Sequence, residues 1–317
     1  MKILVFGKDG QLGKAFKGLF DTLLTAQDWV PQFVGRNDCD LSNEKALVAL
    51  LNQFGPDLII NAAAYTAVDK AEVEVELAHA INARAPELMA MYTSDHGATL
   101  LHFSTDYVFD GKKEMPYVES DQRCPLSSYG KSKAAGEAAI EAAFQEKISG
   151  HYAILRTSWV FGEGSNFIRT ILRLAKERNE LRVIHDQHGV PTNADWLAQV
   201  GCDLLFDQDM QLRPFPSGIY HAVPNGESTW YGLAKLATEV ARDQGIELQL
   251  EPESITPILA VDYPLPAPRP QNSRLNNSKL RLLMERGGDM PKLQHFNNSW
   301  EDNVRKYVGE LAQAGLI

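Results

Sequence analysis

The sequence predicts an α/β protein: a Rossmann-type doubly wound parallel sheet carrying a smaller, discontinuous α/β substrate domain. Three observations predict it. The chain opens on an apolar run, Ile3 to Phe6, that breaks into Gly7-x-x-Gly10-x-x-Gly13 and continues as an amphipathic stretch, Lys14 to Leu24. A short apolar run closed by glycine reads as a strand buried on both faces, as in a parallel sheet. Apolar runs and helical stretches then alternate as far as Arg156, the pattern of βαβ units. Finally, 317 residues exceed one typical domain.

The elements follow in order. Gln32 to Val34 is the second strand, ended by Gly35-Arg36-Asn37, and 43–54 is a helix with Ser42 as its N-cap. Asp57 to Asn61 is a third buried strand, left through the small residues Ala62, Ala63 and Ala64. Helix follows over about 76–96, strand over Thr99 to Phe103, and loop over 104–128. A helix from Pro125 or Tyr129 to Lys147 leads into a strand from His151 to Arg156. The second half mixes helix at 166–179, strand Leu181 to Ile184, helix Asp195 to Leu205 and a candidate sheet strand Gly218 to Val223. Helix at 228–244, a proline-rich loop at 263–274 and a helix at 299–313 complete it. This interleaving assigns 1–165 and about 190–223 to the Rossmann domain, and about 166–189 and 224–317 to the smaller one.

Composition narrows the function. With 44% hydrophobic and 23% charged residues there is material for a sizeable core. A net charge of −10 argues against nucleic acid or an anionic membrane as partner. Cys39, Cys124 and Cys202 are widely spaced, which fits a reducing compartment without a disulfide or zinc framework. No basic segment with a long apolar core opens the chain, and no run of about 20 apolar residues occurs. The expected location is cytoplasmic.

Three places carry chemistry. In the first turn, Gly7 takes the tight bend, Gly10 lets the backbone approach a pyrophosphate, and Gly13 lets the helix pack close. The free amides at that helix's start face phosphate charge, with Gln11 and Leu12 among them. At the end of strand two, an acid would bind a ribose 2′-hydroxyl, whereas arginine accommodates a 2′-phosphate. Arg36 stands there and favours NADP over NAD, with Asp40 and Leu41 placed to flank the adenine. The third place pairs Tyr129 with Lys133, four apart on one helix face. An ammonium beside a phenol lowers the tyrosine pKa from about 10, which suits a general acid serving a carbonyl oxygen. Ser104 and Thr105, at an upstream strand end, supply hydroxyls for the same carbonyl. His185 and His188 lack further ligands for a zinc site, and no metal residues are assigned.

The order of these features resembles the extended short-chain dehydrogenase/reductase superfamily. Five longer motifs sharpen the likeness. They are Asn61-Ala-Ala-Ala-Tyr-Thr-Ala-Val-Asp-Lys-Ala-Glu72, Ser104-Thr-Asp-Tyr-Val-Phe-Asp-Gly111, Arg156-Thr-Ser-Trp-Val-Phe-Gly162, Asp186-Gln-His-Gly-Val-Pro-Thr192 and Arg269-Pro-Gln-Asn-Ser-Arg-Leu275. Nearly end to end, the chain resembles the dTDP-4-dehydrorhamnose reductase family, which completes dTDP-L-rhamnose synthesis for cell-surface polysaccharide.

That resemblance implies NADPH-dependent reduction of the sugar C4 ketone, with NADH as a second possible donor. Tyr129 becomes the proton donor, Lys133 its partner and nicotinamide-ribose ligand, and Thr105 a hydrogen-bond donor to the C4 carbonyl. Ala62 to Ala64 pass along the cofactor. Asp106, Trp159, Asn166 and Arg269 are the implied substrate contacts, while Arg156 reads as a structural charge. Some members bind Mg²⁺ across a dimer interface through acidic residues; the aligned positions carry Ala15, Asp195 and Glu310, so one carboxylate is missing. Mg²⁺ and a homodimer therefore stay open. Alternatives are a reductase or epimerase of another dTDP-4-keto-6-deoxysugar; Arg36 speaks against an epimerase, and Asp106-Tyr107, standing where many dehydratases carry Asp-Glu, against a dehydratase. A further alternative is a non-catalytic NADP-binding regulatory subunit, as in methionine adenosyltransferase; the intact Thr105, Tyr129 and Lys133 distinguish the enzyme.

Overall fold

A computed structural model of the chain describes residues 1–23, 29–145, 149–286 and 295–317. The chain runs β1 (Lys2–Phe6), α1 (Gln11–Leu23), β2 (Val30–Val34), α2 (Glu44–Phe54), β3 (Leu58–Asn61), α3 (Val75–His79), α4 (Ala85–His96) and β4 (Thr99–Thr105). Next come α5 (Ser128–Gln145), β5 (His151–Thr157), β6 (Val160–Phe161), α6 (Phe167–Glu177), β7 (Leu181–Ile184), β8 (His188–Gly189), β9 (Thr192–Asn193) and α7 (Ala194–Leu205). β10 (Gly218–His221), β11 (Ser228–Thr229), α8 (Trp230–Asp243), β12 (Ile255–Ile258), α9 (Ser278–Arg286) and α10 (Trp300–Gln313) follow.

Six of these strands form one sheet in the order β10-β5-β4-β3-β1-β2, all parallel. The alternation along β1 explains the two helical layers. Ile3 and Val5 face α1 and α7, where Phe16, Phe20 and Leu197 complete one core. Leu4 and Phe6 face the opposite way, toward Leu47 and Leu51 of α2 and Met89 of α4. The connections leaving β1 and β3 go to opposite sides of β1, which creates a switch point there, and crevices at such points open beyond the strands' carboxyl ends.

Most expected elements lie within a few residues of their predicted ends. Ser42 is not the cap of α2: Asn43 Oδ1 accepts the Ala46 N–H at 3.2 Å, while the Ser42 N–H and hydroxyl both turn back to Asp40 Oδ1. The expected 76–96 helix is continuous but contains a π turn at Ala80–Arg84. The buried Asn82 within that turn binds the Tyr65 backbone at both N and O and also reaches Ser132 on α5. Leu24 and Lys147, the expected ends of two helices, lie outside the described residues.

A smaller layer gathers α6, α8 and α10 around Leu172, Leu236 and Val304, with the β7–β12 pair beside it. α7 packs on α1, whereas β10 extends the large sheet beside β5. The sequence did not foresee α9, whose Leu280 and Met284 enter the core of the large sheet rather than the smaller layer. Among the described residues, no helix is long and apolar enough to cross a membrane.

Candidate active site

A cavity of about 990 Å³ opens at the carboxyl ends of β1 to β5. Gly7, Gly10, Gln11, Leu12, Arg36, Asp40, Leu41, Ala62, Ala63, Ala64, Thr105, Asp106, Tyr129, Lys133 and Trp159 line it. Residues separated in sequence by most of the Rossmann layer thus share one wall, because parallel strands bring their carboxyl ends to the same edge.

Three expected site residues are not in the lining. Gly13 acts one turn behind it: a Cβ there would stand 2.0 Å from the Gly7 carbonyl oxygen, so the helix can follow the turn this closely only with glycine. Asn166 caps α6. Its Oδ1 accepts the Arg169 N–H at 3.1 Å, and its Nδ2 donates to Gly162 O and the Tyr307 hydroxyl, both at 2.8 Å. Arg269 ties the proline-rich loop down, donating to Asp69 Oδ2 at 2.8 Å and to Ala267 O at 2.7 Å.

At the deep end, Thr105 closes β4 and donates to Asp106 Oδ1 at 3.0 Å. Tyr129 leaves the first turn of α5 and meets the Tyr107 ring edge-on at 5.5 Å. One turn on, Lys133 Nζ donates to Phe103 O at 2.7 Å and lies 3.1 Å from His102 Nε2. The Lys133 side-chain nitrogen is therefore engaged below the phenol. Tyr129's pKa is raised from its ordinary value, not lowered as the sequence suggested. Burial is the main cause, opposed by the Thr105 hydroxyl and reinforced by Asp106. Burial also brings Lys133 down to about 8, against the pull of Glu137. Asp106 is pushed up to about 6 by burial, although the Ser273 and Thr105 hydroxyls oppose it.

Three buried side-chain atoms without a hydrogen-bond partner, Gln11 Oε1, Asp106 Oδ2 and Thr157 Oγ1, belong to residues of this lining. Buried polar atoms are normally paired, so orphans gathered along one cavity mark places for ligand groups. Arg36 is exposed at the end of β2 and makes no ion pair among the described residues. Its neighbour Asp38 is held by Lys8 at 2.5 Å and by the Gly35 N–H at 2.8 Å.

The opposite wall is aromatic. Trp159, in the left-handed region at φ 48°, stacks on Trp230 with ring centroids 3.8 Å apart. Gly189 makes room for it, since a Cβ there would come within 2.5 Å of the Trp159 ring. Gln187 Oε1 accepts the Trp230 indole N–H at 3.1 Å. Trp230 stands at the start of α8, and nothing in its local sequence pointed to the distant Trp159. Arg156 is the structural charge expected of it, with Nε and Nη2 on the two oxygens of buried Glu137 at 2.9 and 2.7 Å. Among the described residues no group of three or more His, Cys, Asp or Glu side chains is placed to hold a metal ion.

A family profile described as the RmlD substrate binding domain matches residues 1–308. A dTDP-4-dehydrorhamnose reductase of Escherichia coli (strain K12) is 45% identical, over 98% of this chain and 98% of the relative. A crystal structure of a dTDP-4-dehydrorhamnose reductase from Clostridium acetobutylicum superposes with a TM-score of 0.83 at 33% identity, covering 98% of this chain and 99% of that one. The Bacillus anthracis dTDP-4-dehydrorhamnose reductase, solved in complex with NADP, gives 0.81 at 30% identity, with coverage of 98% and 99%. With a profile match over nearly the whole chain and relatives this similar at full length, the chain belongs to the dTDP-4-dehydrorhamnose reductase family.

Proposed function

We propose that this protein uses NADPH to reduce the C4 ketone of dTDP-4-dehydro-L-rhamnose to the alcohol. The observation that carries the reading is the convergence of Thr105, Tyr129 and Lys133 in one cavity that begins at the glycine-rich turn. The unpartnered atoms of Gln11, Asp106 and Thr157 support a polar ligand along that cavity.

The residues present fit a dinucleotide. The Gly7 to Leu12 turn and the free amides of α1 would hold the diphosphate. Arg36 would take the 2′-phosphate, and Ala62 to Ala64 would run beside the cofactor. Lys133 would hydrogen-bond the nicotinamide ribose. When bound, the cofactor supplies the hydride for sugar C4. The chain's own work is proton delivery and orientation: Tyr129, kept neutral by burial, has a proton to give the carbonyl oxygen, and Thr105 donates a hydrogen bond to the same oxygen. Trp159 and Trp230 would offer their faces to the sugar nucleotide, with Asp106 beside the sugar. Asn166 and Arg269 enter this reading as residues that shape the rim. Ala15 has no ligand atom, so one carboxylate of the family's Mg²⁺ arrangement is missing.

The test is NADPH oxidation by the purified chain with freshly generated dTDP-4-dehydro-L-rhamnose, NADH being run in parallel. Turnover with both, faster with NADPH, is expected. NADPH binding without turnover on this or related keto sugars would instead favour a binding subunit.

A further inference from the structure

Asn61, His102 and Lys133 are each at most 1% exposed, and they join in a line beneath the cavity. Asn61, the last residue of β3, is the register partner of His102 within β4. Asn61 Nδ2 lies 3.0 Å from His102 Nδ1, while His102 Nε2 lies 3.1 Å from Lys133 Nζ.

Donor and acceptor roles along this line are not free. The Ala63 backbone N–H meets the Asn61 amide at 3.2 Å and can only donate, so the atom facing it is Oδ1. Nδ2 therefore faces His102 as a donor, and Nδ1 accepts. A neutral imidazole accepting at Nδ1 carries its proton on Nε2, and that N–H points at Lys133 Nζ. A neutral amine can accept it; an ammonium has no lone pair to do so. Charging Lys133 thus requires the ring to carry its proton on Nδ1. The Asn61 amide must then turn over and release the Ala63 N–H.

We propose that His102 is a positioning residue for the reaction: its tautomer sets the charge of Lys133 and couples that charge, through Asn61, to the Ala62–Ala64 turn lining the cavity. In net terms one proton is taken up from water: Nζ gains a proton, the ring exchanges Nε2–H for Nδ1–H, and no electrons move. Burial and the neighbouring lysine hold His102 well below the ordinary histidine pKa, so the ring works as a neutral switch. Lys133, brought down to about 8, reaches both of its states in the working range. The other titratable groups facing it are Tyr129 and Glu137 from α5, and Glu137 is held by Arg156 of β5.

The part played by Lys133 in turnover rests on the reductase reading, but the decisive test needs no cofactor. Nitrogen-15 histidine spectra of the full chain would follow the His102 ring, assigned through His102→Gln. The ring is expected to pass from the Nδ1–H to the Nε2–H tautomer as pH rises through about 8, and Lys133→Met should abolish the change. A single tautomer at all pH values, or a change that survives in Lys133→Met, overturns the proposal. In turnover, His102→Gln has an amide oxygen that accepts from an ammonium with no tautomer to change. It should move the alkaline limb of kcat/KM up by about one pH unit. An unmoved limb in a folded, active variant also overturns it. Failure of the reductase reading would appear only as absent turnover and leave the spectra as described.

Discussion

Helix α5 carries two buried polar clusters about two turns apart, and they differ in how fully they are paired. Around Glu137, both carboxylate oxygens are occupied: Arg156 binds both, Ser104 reaches Oε1 and Arg123 reaches Oε2. Arg156 also lies 4.9 Å over the Phe109 ring. Around Tyr129 and Thr105, Asp106 keeps one oxygen unpartnered, as do Gln11 and Thr157 along the same cavity. Both clusters put ionisable groups out of water, but only the first recovers the cost internally. The carboxylate of the first cluster is fully paired by protein groups, whereas the unpaired atoms of the second line the cavity.

The contrast can be broken most forcefully at Arg156. Replacing it with Met strands the Glu137 charge and should cost about 3–5 kcal/mol of stability in urea unfolding. A loss below about 1 kcal/mol would remove the distinction between the clusters. Tyr129→Phe should do the reverse, lowering kcat at least about a hundredfold, or about 2.7 kcal/mol, while leaving NADPH affinity and melting temperature nearly unchanged. Retained turnover would rule out the phenol as the sole acid.

Asp106 sharpens the comparison through pH. Its folded pKa, about 6, stands above that of an unfolded aspartate, so the folded state binds the extra proton between the two values. Stability is therefore lost as pH rises through that window, by about 2–3 kcal/mol, and stays lost above it. Asp106→Asn should flatten this part of the profile, measured as wild type minus variant; an unchanged slope would contradict the assignment. The smallest effect is expected at Arg36, outside both clusters. Arg36→Ala should raise KM for NADPH by about tenfold and leave NADH almost unaffected. Equal losses would refute a 2′-phosphate role.

The fold was legible where one signal dominated. Ile3 to Phe6, Leu58 to Asn61 and Thr99 to Phe103 are apolar runs that only a doubly covered sheet accommodates. The glycine turn, the Ala62–Ala64 segment and the Tyr129–Lys133 pair could be placed because local spacing fixes them. Asn166 shows where such reading ends: its amide serves the α6 cap, a role asparagine fills equally well at any helix start. Trp230 was missed because its partner, Trp159, arrives from another layer. The direction of the Tyr129 shift depended on burial and on where Lys133 Nζ points, neither of which spacing reveals.

Asp69 and Arg269 were read as parts of two separate motifs, yet they form one clasp. Asp69 Oδ1 accepts the Ala267 N–H and Oδ2 the Arg269 guanidinium, across 200 positions of sequence. A contact of that span cannot form while the chain is being synthesised until residue 269 has left the ribosome. The sheet's strands can assemble earlier, as their partners emerge. The proline-rich rim is thus fastened after the sheet, so a product truncated between β10 and Ala267 would keep the six strands but lack the clasp.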